Sequence, residues 1–181
     1  MAKAIPIYKL TNPDAPLLAS AAVIRVRLGE VMEYAPAILD PANVTELHDM
    51  RIAAKRLRYT LEVFAPALPP EQIKPVLEMV ANLQERLGVI HDCDVLIPLL
   101  EETLTREEDR ERKKALRKKP ELPPYFAAEG LVSLSTGKRT ERERLYNDLI
   151  AWWQALPPES FWESVSALIP DPSPVDNATS S

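Results

Sequence analysis

The chain has 181 residues, of which 46% are apolar and 27% are charged, and its formal net charge is −5. This length and composition are ordinary for one globular domain with a core, whereas generic nucleic-acid binding would require a basic chain. No apolar run approaches the roughly 20 residues of a membrane span, and the single cysteine excludes an intramolecular disulfide. We therefore expect a cytoplasmic protein that has neither a specific nucleic acid nor a membrane as partner.

Apolar periodicity, interrupted by proline-rich breaks, predicts an all-α fold. The chain has 18 prolines and only four glycines, and its abundant Leu, Ala, Glu and Arg favour helices. We predict an irregular lead-in over 1–13, one helical domain over 14–169 and a disordered tail over 170–181. The predicted helices cover residues 15–38, 44–64, 71–87, 91–104 and 125–156, and a short amphipathic turn follows over 159–169. The first four, which short loops connect, are expected to form an antiparallel bundle.

Local signals set these boundaries. Asn43 and Glu46 have the spacing of a capping box at the start of the second helix. Gly88 is expected to end the third helix as its C′ residue, and Pro98 to kink the fourth helix or delay its start. An interruption of the fifth helix is considered at 135–137. The mixed charges of residues 105–119 predict a solvent-exposed helical extension.

The second predicted helix separates apolar and cationic residues onto opposite faces. The apolar face consists of Met50, Ala53, Ala54, Leu57, Leu61 and Phe64. The opposite column consists of His48, Arg51, Lys55, Tyr59 and Glu62, with Arg58 at its edge and Arg56 projecting sideways. A solvated outer face is the simpler interpretation, but no acidic residue interrupts the stretch between Asp49 and Glu62. Because cations one helical turn apart match successive phosphates, the row predicts a site for an extended polyanion made of phosphates.

Three cations on other helices are predicted to contribute to the same site. Lys138 and Arg142 fall on the apolar stripe of the fifth helix, and Arg25 lies at the edge of the apolar face of the first. Cations in such positions either extend their charged ends to water or line a polar cavity between helices. Together with the second helix they suggest a basic channel.

Two segments resemble the CHAD domain family (conserved histidine α-helical domain), over about residues 15–104. They are Leu47-His48-Asp49-Met50-Arg51 with Lys55-Arg56-Leu57-Arg58-Tyr59, and Leu87-Gly88-Val89-Ile90-His91-Asp92-Cys93-Asp94-Val95-Leu96. The resemblance implies a helical bundle, here a CHAD-like half domain with extra C-terminal helices, and non-enzymatic binding of inorganic polyphosphate through a basic channel. It gives that role to His48, Arg51, Lys55, Arg56 and Arg58, and less directly to Tyr59. It also points to polyphosphate granules as a place of association.

The sequence departs from the family pattern in two ways. The family usually has two similar halves, each with a basic helix, and only one clear copy is present here. His91 stands where the family commonly has Arg, and we include it among the candidate binding residues. The second wall of the site is expected either from Lys138 and Arg142 or from a second copy of the chain in a homodimer. An aromatic cluster is the candidate interface, with packing onto the bundle as the alternative: Trp152, Trp153, Phe161 and Trp162.

Two other functions stay open. His48-Asp49 and His91-Asp92 are pairs of the kind that helical metal-dependent phosphohydrolases use. Alternatively, the basic helix serves an interaction scaffold with an acidic protein partner. No nucleophile motif or phosphate-cradling glycine loop is present, so we expect no catalytic residue, no metal and no cofactor.

The segment 92–94 has its own alternatives. Asp92 and Asp94 are expected to cap a helix N-terminus or to hold the cations of the second helix in place. Cys93 between them is either a stabilised thiolate or a small packed residue.

Overall fold

The computed structural model describes residues 16–116, 125–156 and 158–168. Over these ranges the chain is helical and has no strand, so the predicted all-α fold class is confirmed. The helices are α1 (Pro16–Glu33), α2 (Val44–Phe64), α3 (Pro70–Leu116), α4 (Tyr125–Ala155) and α5 (Pro158–Ser166), with short 3-10 helices at Ala37–Leu39 and Ala65–Ala67. The predicted lead-in and tail lie outside the described residues. None of the helices described is both long enough and apolar enough to cross a membrane.

The first helix ends at Glu33, earlier than the predicted end at Ile38. Pro36 explains the difference, because proline lacks an N–H donor and disfavours helical backbone in the residue before it. The chain continues instead as the 3-10 helix Ala37–Leu39, whose Ile38 is buried.

The second helix has the predicted bounds, but the predicted capping box is wrong. The Asn43 side chain makes no capping hydrogen bond. Its Nδ2 donates to the Ala37 carbonyl at 2.8 Å, so the side chain ties the preceding 3-10 helix to the start of α2.

The third and fourth predicted helices are one helix of 47 residues, α3, so Gly88 does not end a helix and Pro98 does not start or interrupt one. The reason is a buried stripe that keeps helical spacing through both positions and consists of Ile73, Val76, Val80, Leu83, Leu87, Ile90, Cys93 and Leu100. An interior glycine costs about 1 kcal/mol, whereas burying one large aliphatic side chain gains about 1.5–3 kcal/mol. Pro98 lies on the exposed side of the helix, where water can satisfy the carbonyl that loses its donor.

The charged end of α3 is the predicted solvent-exposed extension as far as the structure describes it. It is helical to Leu116, and its side chains form short-range ion pairs such as Arg106–Glu102 at 2.8 Å and Arg110–Glu107 at 3.6 Å. α4 likewise runs without the interruption considered at 135–137.

The described helices belong to two compact units, one within Met1–Glu85 and Trp152–Ser181 and the other formed by Arg86–Ala151. In the first unit, α1 packs against α2 and α5. In the second unit, the later part of α3 and most of α4 run antiparallel, since Arg86 contacts Asp148 and Glu101 contacts Arg139. Because the third and fourth predicted helices form the single helix α3, the described part of the chain begins with three helices and not with the four predicted.

Gly137→Ala should stabilise the protein by about 0.5–1 kcal/mol. Gly137 is exposed in the interior of α4, and a Cβ built there meets nothing within 4 Å. Alanine would therefore restrict the unfolded chain without a clash in the folded one. Urea unfolding followed by circular dichroism measures the effect, with Gly29→Ala, an equally open position in α1, as the parallel case. A lower midpoint for both variants would contradict the helical interior described here.

Candidate functional site

The apolar face of α2 fixes which residues point outward. Leu47, Met50, Ala53, Ala54, Leu57 and Leu61 are buried, and Phe64 at the helix end is half-buried. The predicted apolar face is therefore confirmed, with Leu47 added. On the other side Lys55 and Tyr59 are exposed, while His48, Arg51 and Arg58 are half-buried. The helix thus presents a column of cations to the outside of its unit.

An aromatic ring lies between two of these cations. The Lys55 Nζ is 5.7 Å from the centroid of the Tyr59 ring, and the Arg58 Cζ is 5.2 Å from it. Arg58 also approaches Glu62, with 3.2 Å between Nε and Oε1, but half of the Glu62 side chain is exposed. An exposed pair of this kind is worth little, so the positive charge of Arg58 is only weakly compensated.

Arg51 and Lys55 carry the least compensated charges of the column. Within the part of the chain that the structure describes, neither forms a salt bridge. The Arg51 Nε is moreover buried without a hydrogen-bond acceptor there. With no salt-bridge partner among the described residues, the Arg51 guanidinium keeps a positive charge that an anion can neutralise.

Arg56, which projects sideways from the column, has different surroundings. It is half-buried, and together with the buried Asp49 it acts electrostatically on Tyr34, which follows α1. Burial raises the pKa of the Tyr34 phenol, Asp49 raises it further, and Arg56 opposes the shift. The buried Glu30 also raises the pKa of Tyr34, and the Arg27 Nη1 contacts this carboxylate at 2.5 Å. Arg56 is therefore part of a polar cluster where α1 meets α2.

The other candidate binding residues lie on α1, α3 and α4. Arg25 is exposed on α1, and His91 is half-buried on α3 in the second unit. Lys138 and Arg142 lie on α4, also in the second unit.

The α4 cations are all held by carboxylates. The partners are Glu141 for Lys138, Glu101 for Arg139, Asp94 for Arg142 and Asp148 for Arg144. The Arg142–Asp94 pair is the most protected, with side chains only 16% and 9% exposed. The hydrogen bond from Lys138 to Glu141 raises the pKa of that ammonium group. Unlike Arg51 and Lys55 of the α2 column, each α4 cation thus has a carboxylate partner within the second unit, and the pair of Arg142 is the one shielded from solvent.

The acidic segment 92–94 is in the interior of α3, so the expectation that Asp92 and Asp94 cap a helix start is wrong. Asp94 holds a cation, but it is Arg142 of α4 and not one of the second helix. No local sequence pattern predicts the contact between Asp94 and Arg142, which are 48 positions apart. The thiolate interpretation of Cys93 is wrong as well: the residue is buried, and burial raises the pKa of its thiol, as does Glu141. Cys93 is therefore a small packed residue, as the alternative interpretation predicts.

Among the described residues, no group of three or more His, Cys, Asp or Glu side chains could hold a metal ion.

Three aromatic residues near the C-terminus contact one another within the first unit, where Trp152 and Trp153 are half-buried. Trp153 lies between Trp152 and Phe161, at centroid distances of 6.4 and 5.6 Å, and Phe161 is fully buried. The side chain of Trp162 lies outside the described residues.

Comparison with known proteins gives one match. The family model described as CHAD domain matches residues 9–101, just over half of the chain. That span contains α1, α2 and α3 as far as Glu101, and it includes every candidate cation of α1 and α2. No curated protein and no solved structure matches the chain significantly.

Proposed function

Because the chain belongs to the CHAD domain family, we propose that it binds inorganic polyphosphate on the outward face of α2 and does not hydrolyse it. The observation that carries the proposal is the contrast between two helices. Arg51 and Lys55 of α2 form no salt bridge with the described residues, whereas each of the four α4 cations has a carboxylate partner. A polyanion can neutralise a row of cations that have no carboxylate partner in the fold.

The chemistry of the α2 column suits phosphate oxygens. The guanidinium groups of Arg51 and Arg58 offer forks that match two oxygens, and Lys55 adds a compact charge between them. The net charge of −5 disfavours non-specific contacts of a long anion with the rest of the surface. Binding of this kind would bring a cytoplasmic protein to polyphosphate granules.

We expect no release of orthophosphate when the protein is incubated with polyphosphate. The chain offers no nucleophile motif, and its described part offers no cluster of metal ligands around the His-Asp pairs. A phosphate-release assay with added Mg²⁺, Mn²⁺ or Zn²⁺ checks this. Release that depends on a metal and disappears in His48→Ala or His91→Ala would establish the phosphohydrolase alternative instead.

The interaction scaffold with an acidic protein partner is distinguished by competition. Polyphosphate should displace a labelled polyphosphate from the protein, whereas polyaspartate and heparin at equal charge concentration should displace it poorly. Equal displacement by all three polyanions would favour a generic acidic partner over phosphate recognition.

We also propose that a second copy of the chain supplies the opposite wall of the site. A long polyanion is held better by cations on more than one side, and the α4 cations already have carboxylate partners. Identical patches that face each other across a twofold axis are the common solution. Light scattering should show a doubled mass on addition of a polyphosphate too short to carry two separate copies. A monomer with and without that ligand, together with binding that survives the double substitution Lys138→Ala/Arg142→Ala, would contradict both sources of the second wall.

A further inference from the structure

We propose that Tyr59 is a positioning residue, which holds Lys55 and Arg58 in place for phosphate by cation–π contacts. This inference rests on the proposed function of α2 and adds a role to the ring. Both cations lie within the range of such contacts, at 5.7 and 5.2 Å from the ring centroid. The ring is 47% exposed, so it stands at the surface where the ligand would arrive.

An aromatic ring can orient a cation without neutralising its charge, whereas a carboxylate cannot. On α4, carboxylates fix Lys138 and Arg142 but offset their charges, most completely for Arg142 in its shielded pair. The face of an aromatic ring attracts a cation through its quadrupole and carries no net charge. Lys55 is therefore oriented while its full positive charge remains available to an anion.

Arg58 lies over the Tyr59 ring although the two residues are neighbours in sequence. Adjacent residues of a helix do not normally face each other, and Arg58 begins at the edge of the column. Its guanidinium nevertheless lies over the Tyr59 ring, on the outward face of α2. Glu62, 3.2 Å from the Arg58 Nε, is the competing partner. Without the ring, the carboxylate would be the main group left to hold Arg58, and it would reduce the charge offered to phosphate.

The energetic advantage is preorganisation. Lysine and arginine side chains lose considerable rotamer freedom when they bind a ligand. Part of that loss already occurs in the unbound protein if the ring restricts both side chains, so less is lost on binding. A direct hydrogen bond from the Tyr59 hydroxyl to phosphate is a different role, and it predicts a different response to substitution.

The test compares Tyr59→Phe with Tyr59→Leu in the full chain. Phenylalanine keeps the ring and removes the hydroxyl, whereas leucine keeps only apolar bulk. We expect Tyr59→Phe to bind a polyphosphate of defined length about as well as the parent, and Tyr59→Leu to bind roughly 5- to 30-fold more weakly, because the two cationic side chains must then lose their rotamer freedom on binding. Val63→Ala, one turn further at a 72% exposed position of the same helix, is the matched control and should leave affinity unchanged.

A spectroscopic readout separates positioning from a merely structural effect. In the ligand-free protein, ring-current shifts of the Arg58 and Lys55 side-chain protons should persist in Tyr59→Phe and disappear in Tyr59→Leu. Equal affinity of Tyr59→Leu and the parent would overturn the inference, as would a Tyr59→Phe variant as weak as Tyr59→Leu, which would show that the hydroxyl contacts phosphate. Failure of the parent protein to bind polyphosphate would instead refute the proposed function.

Discussion

Replacing Arg51 or Lys55 by alanine is expected to weaken polyphosphate binding strongly while the fold stays intact. Hydrogen bonds to charged groups contribute about 1.5–3 kcal/mol, so each substitution should raise Kd by roughly 10- to 150-fold. Both side chains lie opposite the buried face of α2, and neither forms a salt bridge with the described residues that its removal would disrupt. Titration with polyphosphate of defined length, alongside circular dichroism of each variant, measures the two effects separately.

The matched control for these variants is Lys74→Ala. Lys74 is an exposed cation in the same compact unit, on the first part of α3 and away from the α2 column in sequence. If only net charge mattered, its removal would weaken binding as much as the loss of Lys55. By analogy with counterion release from nucleic acids, affinity should also fall steeply with salt, and less steeply in each α2 variant. Unchanged affinity in both α2 variants, or binding indifferent to salt, would refute the assignment of this helix.

The α2 column could be predicted from sequence because everything that orients it is local. The helix lies between breaks near Pro41 and Pro66, and its apolar residues follow one 3.6-residue period over five turns. Once that face is buried, the direction of Arg51 and Lys55 follows from helical geometry alone. The orientation of the cation row therefore follows from the sequence without any tertiary contact.

The error in α3 has the opposite origin. Gly88 is a common helix-ending residue, and a local rule gives it that role. The rule fails because Leu87, Ile90 and Cys93 are buried by contacts that only the folded chain provides. The error in α1 is local instead: apolar spacing that continues to Ile38 favours a helix as far as Asp40-Pro41, but Pro36 ends it earlier.

Only the local part of the charge compensation could be predicted from sequence. Lys138 and Arg142 resemble the α2 cations in type and in spacing. Glu141 pairs with Lys138 at the i,i+3 spacing of one helix, but Asp94 reaches Arg142 across 48 positions. The cation–π contacts of Tyr59 likewise depend on rotamers that the sequence does not specify. Which cations a fold leaves for a ligand is thus a tertiary property, even where the helix that carries them is local.

Leu57→Ala is expected to be among the most destabilising single substitutions in α2, at about 2–5 kcal/mol of the free energy of unfolding. Leu57 is fully buried on the apolar face, and the residues one turn before it, Ala53 and Ala54, are too small to fill the space that its side chain would leave. The loss combines the transfer of a large aliphatic group with the cost of a cavity. Urea unfolding measures it, and Val63→Ala, at an exposed position of the same helix, should change stability by no more than about 0.5 kcal/mol.

Leu57→Ala also tests whether stability and binding belong to separate faces of α2. Its side chain is buried, whereas Arg51, Lys55 and Tyr59 are on the outward side. Below its unfolding transition, the Leu57→Ala protein should therefore bind polyphosphate with nearly the parent Kd, while Arg51→Ala should show the reverse pattern of normal stability and weak binding. A large loss of affinity in fully folded Leu57→Ala would mean that packing beneath the helix sets the position of the cations, and that the outward face is not an independent site.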